Sequence, residues 1–107
     1  MGPEALRVAG FVEALAARGV DAVDRGDVEG PRNPWQAPVD GYRHLEQVVA
    51  WNRAVMDMSA AELEAGRIPV MLGGDHCLAI GSIAAVADHC RRTGSSLRVL
   101  WLDAHTD

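Results

Sequence analysis

The stretch RIPVMLGGDH, residues 67–76, decides the fold. From Ile68 to Leu72 it is a short unbroken apolar run closed by two glycines, the pattern of a strand buried on both faces. A helical pattern follows from about Leu78 to Arg92, stopped by Gly94, and LRVLWL at 97–102 is a second run of the first kind. Strand, helix and strand in that order predict parallel pairing through a right-handed crossover. In such sheets ligands bind beyond the carboxyl ends of the strands, and both GGDH (73–76) and DAHTD (103–107) fall there.

Upstream, Pro3 suits a first helical turn, and Leu6, Ala9, Val12 and Ala16 recur at helical spacing until Gly19, which predicts one helix. VDAV at 20–23 reads as a short strand, and a loop rich in Pro, Asn and Gly runs from Gly30 to Pro38. From Asp40 to Glu64 the residues Leu45, Val48, Val49, Val55 and Met56 mark an amphipathic helix closed by Gly66. Helix and strand therefore alternate three times, without internal repeat or low complexity. The expected fold class is α/β with a parallel sheet. Arg25-Gly26-Asp27 matches an adhesion tripeptide, a three-letter coincidence that carries no function here.

With 107 residues, 49% apolar and 23% charged, the chain is ordinary globular material and at most one small domain with a modest core. The net charge of −5, without any basic run, argues against nucleic acid or an anionic membrane as partner. No apolar stretch approaches a membrane span, and Met1 is not followed by a basic and then an apolar region, so a cytoplasmic location is expected. Cys77 and Cys90 form no C-x-x-C pair and are expected to be reduced.

In an extended segment, side chains at i, i+2 and i+4 share a face, so Asp103, His105 and Asp107 converge. Two carboxylates in one volume raise one pKa sharply or demand a cation, and a hard divalent metal relieves them. For the pentapeptide alone, a solvated Asp-rich turn stands beside that reading. Gly73 and Gly74 let the backbone turn tightly off a strand end and bring His76 to the same rim. Imidazoles with carboxylates and no thiolate suit Mn, Zn or Fe, and the oxygen-rich set favours Mn. Asp75 is better placed to cap the helix that follows, and Cys77 to be a small buried side chain, than either is to bind metal. His44 and His89 fall within predicted helices and are read as ordinary helix residues, Trp35 and Trp51 as packing anchors. Arg91 and Arg92 suit the carboxyl end of a helix dipole.

VMLGGDHCLAIGS (70–82) followed by VLWLDAHTD (99–107) closely resembles the ureohydrolase family and, within it, the arginases. MGPEALRVAGFVEAL and VDRGDV look like the segment after the family's first strand, so the resemblance covers the whole chain. LAIGS and Trp101 favour arginase over the agmatinase-like members. The resemblance implies a three-layer αβα fold of the arginase type, of which residues 1–107 would be an N-terminal partial domain truncated after DAHTD. It implies two Mn2+ ions per subunit, with His76 on the first, His105 on the second, Asp103 bridging both and Asp107 completing part of the first site. Such a pair lowers the pKa of the water it binds, and the implied reaction is hydrolysis of L-arginine to L-ornithine and urea. A homo-oligomer is implied for the full-length protein.

The family's D-x-D segment, its substrate-gripping asparagine and serine, its proton-shuttling histidine and its guanidinium-binding glutamate all come after DAHTD. No substrate-binding residue is assigned here, and the chain alone is expected to be inactive. Agmatine as substrate, or a non-catalytic metal-binding or interaction fragment, is the alternative. Cys77 stands where the family usually has serine.

Overall fold

The structure is a computed structural model and describes residues 2–104. The first helical pattern forms as two helices, α1 (Gly2–Val8) and α2 (Phe11–Ala16), where the spacing predicts one. Gly10 separates them at φ 74°, a left-handed conformation that costs a residue with a Cβ about 1–2 kcal/mol. The apolar period continues across the break because it counts residues and is blind to one reversed dihedral.

Arg7 fastens α1 to the segment that follows α2. Its Nε donates to Asp24 Oδ2 at 2.6 Å and its Nη1 to Asp27 Oδ1 at 2.7 Å. The Arg7 hydrogen bond, and then the Gly26 backbone N–H, hold the Asp24 carboxyl below the usual carboxylate range. A depressed carboxylate pKa means that the stabilisation is present above the unfolded value of about 3.9 and is lost as pH falls through the folded one. Protection of the α1 amides from hydrogen exchange, taken relative to the intrinsic rate at each pH, should therefore fall below about pH 4. Asp24→Asn should show the lower protection at neutral pH and lose most of the acid response. An unchanged acid response in that variant would remove Asp24 as its cause.

Next comes α3, Leu45–Glu64, which begins at Leu45 rather than at Asp40. Asp40 and His44 both take positive φ, and Val39 and Tyr42 exchange backbone hydrogen bonds of 2.9 Å across a tight turn, so the helix cannot start earlier. His44 is thus the residue before the helix and not a member of it. A short 3₁₀ turn, His76–Leu78, leads into α4, Ala79–Thr93, which stops at Gly94 with φ 71°, as its sequence predicts.

Helices α3 and α4 pack on each other, and the 3₁₀ turn also touches α3. Val55 and Ala85 are the buried hydrophobic side chains among the described residues. At the carboxyl ends, Arg92 Nη1 donates to Glu64 Oε1 at 3.1 Å, while Asp88 pairs with Arg91 and Arg92. Both arginines lie in the last turn of α4, where a cation complements the dipole.

The segments expected as strands, 20–23, 67–74 and 97–102, carry no ladder; among the described residues the one bridge is Val39 with Tyr42. Ile68 is 90% exposed and Leu102 86%, where a doubly covered strand would be buried. The chain exposes 8600 Å², whereas a compact monomer of 11.4 kDa exposes about 5800 Å². The reason is the non-local nature of a parallel ladder. An apolar run specifies that it wants neighbours on both sides, and the described residues do not bring those neighbours alongside.

Candidate functional site

Gly73 and Gly74 carry the chain out of the apolar segment into Asp75, which is extended (φ −114°, ψ 123°). Its Oδ1 accepts from the Cys77 backbone N–H at 2.9 Å and so caps the 3₁₀ turn. Asp75 is a cap, as expected, but of the 3₁₀ turn and not of α4, whose own N-cap Leu78 makes no side-chain bond. The Cys77 N–H hydrogen bond holds the Asp75 carboxyl below its usual range, while burial, and then Asp75 itself, push the Cys77 thiol up. A thiol held protonated is a poor nucleophile and a poor metal ligand, and Cys77 is half-buried rather than the buried side chain its sequence predicts. Asp75→Ala should lower stability by about 1 kcal/mol, the usual worth of a lost N-cap. Chemical denaturation checks this, and an unchanged midpoint would show that the cap is dispensable.

The cap makes His76 the first residue of the turn and aims it toward the second motif. Its Nδ1 lies 3.7 Å from Asp103 Oδ2. The two residues come from segments separated by the whole of α4, and His76 is the more exposed side chain, 56% against 17% for Asp103. The His76 ring also meets Trp101 edge to face, with centroids 6.0 Å apart and planes at 62°. Such pairs restrict ring orientation. Trp101 stands two residues before Asp103, which in extended chain is the same face. The sequence reading treated Trp101 as a family marker; its i, i+2 relation to Asp103 is the signal that shows it as a neighbour of His76.

His105 and Asp107, the other expected ligands, lie outside the described residues. Among the described residues no group of three or more His, Cys, Asp or Glu side chains is close enough to hold a metal ion. The pair that is described fits a divalent ion in chemistry and spacing. Ligand bonds of about 2.0–2.2 Å allow two donors of one ion to be up to roughly 4.4 Å apart, and nitrogen with oxygen donors suits manganese.

The remaining polar and aromatic residues sort differently. His89 lies within α4, its carbonyl accepting from Thr93 Oγ1 at 2.9 Å. Trp51 does anchor the loop: its indole Nε1 donates to the Pro31 carbonyl at 3.0 Å and its ring lies against Gly30. Trp35 does not, being 88% exposed, because the loop carrying it runs over the surface. Cys77 and Cys90 are both free thiols, as expected. Among the described residues no helix is long and apolar enough to cross a membrane.

Comparison with known proteins follows the same residues. The arginase of Brevibacillus brevis is 38% identical over 107 residues, that of Brucella melitensis biotype 1 is 37% identical over 108, and that of Staphylococcus aureus strain COL is 33% identical over 110. Each alignment takes in 100% of this chain and 35% of the relative, so the chain spans about a third of the length of the curated relatives it matches. No solved structure matches it. The family model described as the arginase family matches residues 1–107, a span that includes both the GGDH turn and the DAHTD segment. With every residue of both motifs inside that match, the chain belongs to the arginase family.

Proposed function

We propose that this chain supplies His76, Asp103, His105 and Asp107 to the binuclear manganese centre of a hydrolase that converts L-arginine to L-ornithine and urea. The observation that carries the reading is the approach of His76 Nδ1 to Asp103 Oδ2 at 3.7 Å, across α4, in a chain of the arginase family. In this reading His76 serves one ion, His105 the other, Asp103 both, and Asp107 the first. When bound, such a metal pair supplies water acidic enough to be deprotonated at neutral pH.

The carboxylate of Asp103 lowers the potential beside His76, which favours cations there, whether the ions or a guanidinium substrate. Trp101 restricts the His76 ring, and the Asp75 cap fixes the turn that carries it. In the complete protein the segments 20–23, 67–74 and 97–102 pair in the parallel sheet of a three-layer αβα fold. The protein works in the cytoplasm as a homo-oligomer, without nucleic acid or membrane as partner.

The test is urea release by the manganese-loaded protein expressed from its complete coding sequence, with L-arginine and agmatine as rival substrates. Release from arginine supports the proposal. Preference for agmatine, or no urea from either, overturns it. Residues 1–107 by themselves should release no urea above the background of manganese alone, because substrate positioning and the metal pair act as a unit.

A further inference from the structure

We propose that Asn52 is a positioning residue for the metal centre, acting on His76 through Gly81; the inference rests on the metal reading of His76 and Asp103 given above. Asn52 lies buried in α3, 9% exposed. Its Oδ1 accepts from the Gly81 backbone N–H at 2.8 Å, and its Nδ2 donates to the Val48 carbonyl at 3.0 Å. Both ends of the amide are therefore used, which fixes its orientation.

Gly81 sits in the first turn of α4, buried, where an added Cβ would meet the Asn52 backbone carbonyl. A side chain there would collide with that carbonyl, so the two helix backbones come close together where the amide bond is made. Packing alone would be served by an apolar residue, since a buried amide is costly unless both ends find partners. A partnered amide adds what an apolar contact lacks: one register of α4 along and around α3. The 3₁₀ turn carrying His76 runs directly into α4 and moves with it. Asp103 belongs to the segment after α4, which Asn52 does not hold. The Asn52–Gly81 bond thus sets where α4 and the turn carrying His76 sit on α3, and with it the His76 side of the 3.7 Å approach to Asp103.

The experiment is calorimetric titration with Mn2+ alone, well below the melting temperature, on the protein from its complete coding sequence. Asn52→Ala removes the acceptor and should weaken manganese binding about 10-fold or more, the usual effect of losing a residue that orients a ligand. Asn52→Asp keeps the oxygen that accepts from the Gly81 N–H but loses the donor to the Val48 carbonyl, so it should retain more affinity than Asn52→Ala without reaching that of the parent. Val55→Ala, a buried change in the same helix, should lower the melting temperature and leave manganese affinity unchanged. Should Asn52→Ala fail to fold, Asn52→Leu, similar in volume and without the acceptor, should show the same weakening. A parent that binds no manganese overturns the metal reading together with this one. Binding that His76→Ala abolishes and that Asn52→Ala or Asn52→Leu leaves intact overturns the role of Asn52 alone, as does an equal loss in Val55→Ala.

Discussion

Asp103→Asn in the manganese-loaded protein is expected to lower arginine hydrolysis on the order of a thousandfold or more, because groups that act as one catalytic unit lose most of the rate together. Asparagine keeps the volume and one carbonyl oxygen but removes the negative charge and the second strong donor, so it cannot bridge two cations as a carboxylate does. His76→Ala should be nearly as damaging, since it removes the imidazole that faces Asp103 at 3.7 Å. His89→Ala, in the body of α4, should leave the rate unchanged. Urea release measured beside bound manganese separates the causes. Asp103→Asn should lose metal and rate together, whereas a variant with full metal content and parental rate would remove Asp103 from the centre.

Gly81→Ala should be the most destabilising single methyl addition among the described residues of the α3–α4 interface. The new Cβ would sit inside contact distance of the Asn52 carbonyl oxygen and 3.1 Å from its carbon. The obstacle is backbone on both sides, so no side-chain rotation relieves it, and the helices must separate. Separation also stretches the 2.8 Å bond from Gly81 N–H to Asn52 Oδ1. Overpacking of this kind costs about 1–3 kcal/mol, and the rigid neighbour puts this case toward the upper end. Helix propensity works the other way, favouring alanine over glycine by about 1 kcal/mol, and is outweighed. Equilibrium denaturation gives the sign directly. A variant as stable as the parent would show that α4 can move away from α3 without loss, and the close approach would then lack importance.

Local chemistry was legible in the residues themselves. The apolar periods read from Asp40 to Glu64 and from about Leu78 to Arg92, with Gly66 and Gly94 after them, mark α3 and α4 to within a turn or so, because a helix is closed by bonds four residues apart and needs no distant partner. The same locality made the Asp75 cap readable. It also made GGDH and DAHTD recognisable as a pair. Where a single dihedral interrupts a continuing pattern, as at Gly10, periodicity sees one helix and the backbone makes two.

Whatever joins distant residues was decided elsewhere. Alternation could put Asp103 on a face, but only the tertiary fold brings His76, from the other end of α4, within 3.7 Å of it and sets the Trp101 ring against the imidazole. Asn52 drew no notice in the sequence because an amide within an amphipathic helix reads as solvent-facing until its partner, 29 residues away, is seen. The apolar segments 67–74 and 97–102 show the opposite case. Their composition announces strands, yet a ladder is a contract between two segments, and among the described residues that partnership is not made. The sequence by itself therefore determined the helices, the caps and the donor atoms on offer, since each depends on bonds within a few residues. Tertiary structure decided which donors meet and at what distance, since that depends on the register of one helix against another.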